Sequence, residues 1–594
     1  DVLLANAQAV TDDDGNTLCY TGSIYVSEKP IATSTHSTDY KVSSFSSWGV
    51  PGSLELKPEI TAPGGNIFSL ENGGTYKNNS GTSMASPQVA GMAALVAEYI
   101  KANDLDKETG KSLRQLSQSL LMSTAQPLID SSNGSYYPVL RQGAGLANVS
   151  NAIHAESYVL VNGQPDGKVK VELGDDPDKT GEYQMTFRVV NFGTEPLQYA
   201  ITPTVLTENA ETKGDYGNVQ VYFATQTSRD ITAQTTWTTN CANNVVTVPA
   251  KGTADVTVTV KLSDALRKEL TDTFENGIYI EGYITLKQQA TAEGVTGCDL
   301  SIPYLAFYGD WDQAPVIDIG YYWQKLQGEP NWASQYLNYG GSMLSGTGSF
   351  YVFGGNPYAP ELAYYPEHNT LSPLRTDGYY DKVDLIYTAL LRNAKSLTYR
   401  ITDAKTGETY YRKTVDYVGK SVYNANYDTI LPAGSFASTA IDPWYGVDSA
   451  GEMLKDDTTV IVSIDAELDH DGFTAAQNKN AHWEFPVTID NTPPQILSST
   501  SDGETLTLKV ADSRYLAYVE VYDVEHMNVF SEPVFSQGYS SKTLGETATV
   551  RVNVSGLNKV YVCLADYGRN EKVVTLDAKT GKLIESSQFE YFES

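Results

Sequence analysis

The residues with the clearest chemical promise lie in Asn79-Ser80-Gly81-Thr82-Ser83-Met84-Ala85-Ser86-Pro87, directly ahead of a long apolar run. A serine at the start of a helix sits among backbone N–H groups that lack intrahelical partners, at the positive end of the helix dipole. Negative charge developing beside Ser83 would be stabilised there. Gly81 permits a tight turn and close approach of another backbone. Pro87 is expected in the first turn, where a missing N–H costs little. A serine in this place also serves simply as an N-cap, the commoner use of the residue type. Nucleophilic chemistry at Ser83 needs a histidine to take the hydroxyl proton and a carboxylate to hold that histidine. The chain has six histidines: His36, His154, His368, His470, His482 and His526. Only His36 precedes Ser83, in Thr35-His36-Ser37-Thr38, which reads as ordinary loop.

The elements that must position Ser83 follow from periodicity. From Ser83 to about Ala102, Val89, Met92, Ala93, Leu95, Val96 and Ile100 leave almost no polar face. A helix apolar all round is expected at the buried centre of a large domain. A second helix is predicted across 111–123, where Leu113, Leu116, Leu120 and Leu121 recur at helical spacing. A third, short helix is predicted to start near Leu146.

After about Ala155 the pattern changes to short alternating runs, such as 168–173, 184–190 and 254–260. Period-two alternation with β-branched residues, separated by Gly, Asn, Asp and Pro clusters, predicts half-buried strands in antiparallel sandwiches. Two seams stand out, Asp310-Trp311-Asp312-Gln313-Ala314-Pro315 and Ile489-Asp490-Asn491-Thr492-Pro493-Pro494. The paired prolines remove two backbone donors, so the second seam reads as an extended connector. The expected organisation is a mixed α/β unit at 1–157, then all-β units at 158–313, 314–492 and 493–594.

Composition bounds the partners. The chain has 594 residues, with 41 Lys+Arg against 72 Asp+Glu and a formal charge of −31. That argues against nucleic acid or anionic lipid as a partner, because both need a cationic face. No apolar run reaches the roughly eighteen residues of a membrane span. The Tyr-rich, turn-rich, acidic composition, with 41 Tyr, 48 Gly and 25 Pro, suggests an extracellular β-dominated protein. The four cysteines, Cys19, Cys241, Cys298 and Cys563, form no CxxC pair. They suggest neither zinc nor redox chemistry; Cys241 and Cys298 either pair within one β-unit or stay as buried thiols. The chain opens Asp1-Val2-Leu3-Leu4 with no visible signal peptide, which reads as a mature or truncated product.

Structural calcium could be held by Asp12-Asp13-Asp14-Gly15-Asn16, Asp175-Asp176-Pro177-Asp178 or Asp469-His470-Asp471-Gly472, although solvated turns explain these runs as well. The stretch with Ser372-Pro373, Asp377-Gly378 and Asp381 is a weaker candidate. The aromatic group Tyr321, Tyr322, Trp323, Trp332, Tyr364, Tyr365, Tyr379 and Tyr380 could stack on a substrate or pack a core.

The run Gly81-Thr82-Ser83-Met84-Ala85-Ser86-Pro87 and its helix resemble the nucleophile segment of the subtilisin-like serine proteases. Upstream, Ser44-Phe45-Ser46-Ser47-Trp48-Gly49 and Lys57-Pro58-Glu59-Ile60-Thr61-Ala62-Pro63-Gly64 resemble that family's strand and loop before the nucleophile. Downstream, Gln142-Gly143-Ala144-Gly145-Leu146-Ala147-Asn148-Val149 resembles its closing segment. These blocks span about residues 43–155 in the family's order. Further on, 302–311, Leu391-Arg392-Asn393-Ala394-Lys395 and 485–494 resemble the fibronectin-type-III-like domains of cell-envelope proteinases of the lactocepin and C5a-peptidase type.

The resemblance implies a multidomain fold: a partial α/β subtilisin-like catalytic domain at 1–157, with 1–42 the tail of a protease-associated insertion, followed by three all-β fibronectin-III-like sandwiches. It implies a secreted or cell-wall-associated serine endopeptidase acting on extracellular protein or peptide substrates, with Ser83 as nucleophile and no cofactor required for the chemistry. In the family the order is Asp, His, Ser, and none of the six histidines lies in an HGTH-like segment. An N-terminal catalytic segment carrying Asp, His and the oxyanion Asn is therefore an expected partner. Without it the chain is expected to be inactive. The sequence reads as the C-terminal part of a longer proteinase, as one chain of a two-chain enzyme, or as a non-catalytic adhesion or scaffold protein built on a decayed subtilase module.

Overall fold

The structure, a computed structural model, describes residues 8–21, 40–216, 219–290, 297–314, 316–317, 342–344, 350–362, 365–375, 380–383, 390–420, 422–424, 429–431, 442–470, 473, 481–526 and 532–587. Helices concentrate before residue 155: Thr82–Ala102, Leu105–Thr109, Leu113–Ser123, Val139–Gln142 and Val149–His154. The helix Leu113–Ser123 starts where the sequence encodes a capping box. Ser112 Oγ accepts from the Gln115 N–H at 3.2 Å, and Gln115 Oε1 accepts from the Ser112 N–H at 3.0 Å. Its Leu116, Leu120 and Leu121 are buried against Val96 and Ile100 of the long helix.

The long helix departs from expectation. Only Val96 and Ile100 on it are buried, and Leu95 is 55% exposed. Among the described residues, its C-terminal half packs on the helices Leu113–Ser123 and Val149–His154, and its N-terminal half has little cover. Apolarity of a segment records that it needs a partner; it does not supply one.

Beyond residue 155 the chain is built almost wholly of sheets. One has the strand order Thr235–Thr239, Thr253–Leu262, Glu182–Asn191, Ser157–Val161 and is antiparallel throughout. A second has the order Val245–Val248, Leu197–Tyr216, Ile278–Gln288, Leu300–Tyr308, Val171–Asp175, its last pair parallel. The two close on one core that includes Tyr183, Met185, Phe187 and Val189, alternate residues of one strand. The strand Leu300–Tyr308 is buried at every position. One of its faces meets this core through Ile302, Tyr304 and Ala306, while Leu305 and Phe307 turn the other way, onto Val50, Leu54, Leu56, Val139 and Leu140. Burial on both faces explains why this strand shows no alternation in sequence.

Further along, a five-stranded sheet orders Thr370–Leu371, His482–Ile489, Thr459–Glu467, Ala394–Asp403, Thr409–Val418. A three-stranded sheet (Gln495–Ser501, Thr505–Ala511, Ala548–Asn553) and a five-stranded one (Phe535–Gly538, Leu516–Asp523, Lys559–Asp566, Glu571–Asp577, Leu583–Ser587) share a core around Leu506, Leu508, Val550 and Val562. Cys241, Cys298 and Cys563 are free thiols, so Cys241 and Cys298 do not pair. Cys563 is buried, and its thiol is pushed up to about 12 by that burial. Among the described residues no helix is long and apolar enough to cross a membrane.

Candidate active site

Ser83 is the second residue of the helix Thr82–Ala102, and it is exposed. It is not the N-cap. That place belongs to Gly81, at φ 153° and ψ 163°, a conformation open essentially to glycine alone. Gly81 has no side chain with which to cap the helix, and the first turn holds no acidic residue. The positive end of the helix therefore faces outward beside Ser83 without a neutralising group of its own. Pro87 lies one turn further in than expected. Its ring nitrogen stands where an N–H would have bonded the carbonyl four residues back, which is that of Ser83.

Backbone contacts hold this turn in place. The Gly81 N–H donates to the Gly64 carbonyl at 2.8 Å, and Ser80 Oγ accepts from the Asn66 N–H at 2.7 Å. A Cβ on Gly64 would lie 2.7 Å from the Gly81 carbonyl oxygen. The segment before Gly64 is clamped in turn by 142–149: Thr61 N–H donates to Gly145 O at 2.9 Å, and Ala147 N–H to Thr61 O at 2.8 Å. Gly145, at φ 107°, crosses the Gln126 backbone so closely that a Cβ would meet it at 2.4 Å. The blocks 57–64 and 142–149 and the Ser83 turn are thus one hydrogen-bonded assembly.

That assembly is seated on the first pair of sheets. Trp311 Nε1 donates to Gly52 O at 2.8 Å, Tyr283 OH to Gly143 O at 2.9 Å, and the Leu140 N–H to Glu281 Oε2 at 3.1 Å. Burial pushes the Glu281 carboxyl up to about 8. Lys170, 1% exposed, donates to Glu55 Oε1 and Glu172 Oε1, both at 2.8 Å, and to Leu56 O at 3.1 Å. Burial raises Glu59, but hydrogen bonds from Lys168 and Lys57 outweigh it and hold the carboxyl at about 2.

Among the described side chains, His154, His368, His470 and His482 are engaged away from Ser83. His154 Nδ1 lies 2.8 Å from Ser150 O; His368 is buried, its Nε2 2.7 Å from Ser541 O. His470 pairs with Asp312, and His482 with Asp465 and Glu484. His36 lies outside the described residues. Large apolar side chains stand exposed through this part of the sequence: Tyr40, Phe45, Phe68, Leu70, Tyr76 and Leu95.

The acidic turns use their oxygens internally. Asp12 Oδ1 accepts from the Asp14 and Asn16 N–H groups, and Asp176 from those of Thr180 and Gly181. Of the Asp469–Gly472 run and the Ser372–Asp381 stretch, residues 471–472 and 377–378 lie outside the described set. In the aromatic group, Tyr380 is buried against Phe353, and Tyr365 packs on His368 beneath Lys542. Tyr321, Tyr322, Trp323, Trp332, Tyr364 and Tyr379 lie outside the described residues.

Comparison with known proteins matches residues 9–146 to the subtilase family and residues 171–305 to the Fn3-like domain. The PI-type proteinase of Lactococcus lactis subsp. cremoris is 29% identical over 506 residues, 80% of this chain and 24% of that protein. The PII-type proteinase of Lacticaseibacillus paracasei is 33% identical over 293 residues, 47% of this chain and 14% of that protein. The C5a peptidase of Streptococcus pyogenes is 26% identical over 524 residues, 79% of this chain and 41% of that protein. The chain thus spans well under half the length of these relatives. The Ser83 turn thus lies within a segment that matches the subtilase family, and behind it follows a segment that matches the Fn3-like domain.

Proposed function

We propose that this chain is the nucleophile-bearing part of a secreted or cell-wall-associated subtilisin-like serine endopeptidase that cleaves extracellular polypeptides. The observation that carries this reading is Ser83 exposed at a helix start without a side-chain cap, with Gly81 at the N-cap position and hydrogen-bonded to Gly64. Ser83 Oγ attacks the scissile carbonyl and forms an acyl-enzyme, and its own backbone N–H donates to the oxyanion. The Asp, the His and the oxyanion Asn come from a segment outside this sequence. The exposed apolar side chains of 40–95 are the surface which that segment covers. The β-units carry the catalytic unit and shape access for extended substrates. The isolated chain, lacking a base, is inactive.

Fluorophosphonate labelling of the full-length protein tests this. Modification of Ser83 is expected; no modification of Ser83, with a subtilase control labelled, overturns the reading. A second reading, a non-catalytic adhesion or scaffold protein on a decayed subtilase module, is favoured by the engagement of His154, His368, His470 and His482 away from Ser83. The DNA upstream of the codon for Asp1 discriminates the two. In-frame Asp and HGTH segments eliminate the scaffold.

A further inference from the structure

Three aspartates far apart in the chain meet inside the joint between the five-stranded sheet that ends at Ile489 and the sheets that follow. Asp490 comes directly after the strand His482–Ile489, Asp512 directly after Thr505–Ala511, and Asp566 ends Lys559–Asp566. They are 2%, 4% and 1% exposed. One carboxylate oxygen from each lies within 4.8 Å of the others. Oxygens bound to one calcium ion at about 2.4 Å can be no further apart than about 4.8 Å.

Their hydrogen bonds leave this centre unfilled. Asp490 Oδ1 accepts from the Thr492 N–H at 3.1 Å and Asp512 Oδ1 from the Arg514 N–H at 2.7 Å. Asp566 accepts from the Asn570 N–H and from Asn570 Nδ2, each at 2.8 Å. Asp490 Oδ2 and Asp512 Oδ2 are buried with no hydrogen-bond partner. An orphaned buried carboxylate oxygen is costly, and two of them beside a third carboxylate more so. The cation whose field reaches Asp490 and Asp512 is Arg514, and it is turned to Asp457 at 3.1 Å. Three carboxylates against one guanidinium leave a deficit of two positive charges. Burial pushes Asp490 up to about 7 and raises Asp512 and Asp566, and repulsion adds to it at Asp490 (from Asp512) and at Asp566 (from Asp512 and Asp490).

We propose that Asp490, Asp512 and Asp566 form a calcium site that locks the joint between these two β-units. The donors are all hard oxygens with no nitrogen or sulfur, which selects calcium-like ions over zinc or copper. Burial leaves little room for the several waters that magnesium keeps. The site also fixes the start of the Pro493-Pro494 connector. Ser372 Oγ and Asn570 Nδ2 donate to the Asp490 carbonyl at 2.7 and 2.9 Å, so both units already grip this residue. The ion would convert that grip into a rigid joint.

The test compares this chain with its Asp490→Asn variant by equilibrium dialysis against calcium and by melting in calcium and in a chelator. Asn keeps the Oδ1 acceptor for Thr492 and puts an amide donor where the orphaned oxygen stands. Wild type should bind one tight equivalent of calcium more than the variant. Its transition for the C-terminal β-units should rise by at least about 5 °C in calcium. In chelator the order reverses, and the variant melts above wild type because repulsion is relieved. Equal calcium stoichiometry in the two proteins, a wild-type transition unmoved by calcium, or a variant that melts below wild type in chelator would each overturn the proposal.

Discussion

The Gly81 N–H donates to the Gly64 carbonyl at 2.8 Å, and this bond sets the height of the Ser83 turn above the loop beneath it. A methyl group at position 64 cannot be accommodated without movement, because it would lie 2.7 Å from the Gly81 oxygen and 3.2 Å from Ala85 Cβ. Gly64→Ala should therefore cost about 1–3 kcal/mol, as overpacking does. In the full-length protein it should also slow fluorophosphonate labelling of Ser83 by far more than it changes the urea midpoint, since a small displacement of a nucleophile costs rate steeply.

Much of this arrangement is legible in sequence. Gly81, Ser83 and the apolar run to Ile100 specify a helix start and the residue exposed at it, and Ser112 with Gln115 marks the next helix. The burial of the long helix is not legible, because Leu95 and its neighbours record only a need for cover. Nor is the Pro87 position, which depends on where the helix begins rather than on local composition. The junction aspartates are hidden for another reason. Asp490, Asp512 and Asp566 sit at strand ends whose meeting is set by sheet pairing, which leaves no local spacing to read. The strand Leu300–Tyr308 lacks alternation because both its faces are covered.

Glu281 should make stability fall as pH rises. Its folded carboxyl titrates at about 8 against 4.5 for the free group, raised first by burial and also by Glu208. The other titratable groups around it are Tyr279, Tyr283 and Tyr304. Below the free value both states hold the proton and nothing is lost. Between the two values the unfolded state releases its proton first, at about 1.4 kcal/mol per pH unit. Above about 8 the loss is complete. Glu281→Gln keeps an acceptor for Leu140, so the urea-midpoint gap between the variant and wild type should widen from pH 5 to 8 and then level off. A pH-independent gap contradicts this.

Glu59 carries the opposite sign. Its carboxyl is held at about 2, below the free 4.5, by Lys168 and Lys57 against the effect of burial. Its contribution is present above the free value and is lost as pH falls toward about 2. Acid titration followed by near-ultraviolet circular dichroism should show Glu59→Gln to be less stable than wild type at neutral pH, with the difference closing in acid.

Lys170 joins two parts of the chain through Glu55, Glu172 and the Leu56 carbonyl. Replacing it with Met leaves two carboxylates facing each other with their common cation removed. Both carboxylates keep some solvent, at 36% and 24% exposure, so the cost should sit at the low end for a broken buried pair, about 3 kcal/mol. Urea unfolding of the Lys170→Met variant measures it, and a change under about 0.5 kcal/mol would place the network among ordinary surface pairs.

Leu95 separates the two functional readings. At 55% exposure it lies on the open side of the long helix, so Leu95→Gln in this chain alone should shift stability by no more than about 0.5 kcal/mol. If a catalytic segment closes over the helix in the full-length protein, the same substitution buries an amide there and removes apolar contact, at about 2–4 kcal/mol. On the scaffold reading nothing covers this face, and the two measurements coincide. Calorimetry of the variant in both forms decides between them: a large penalty confined to the full-length protein supports a covered nucleophile helix, and equal small effects support the scaffold.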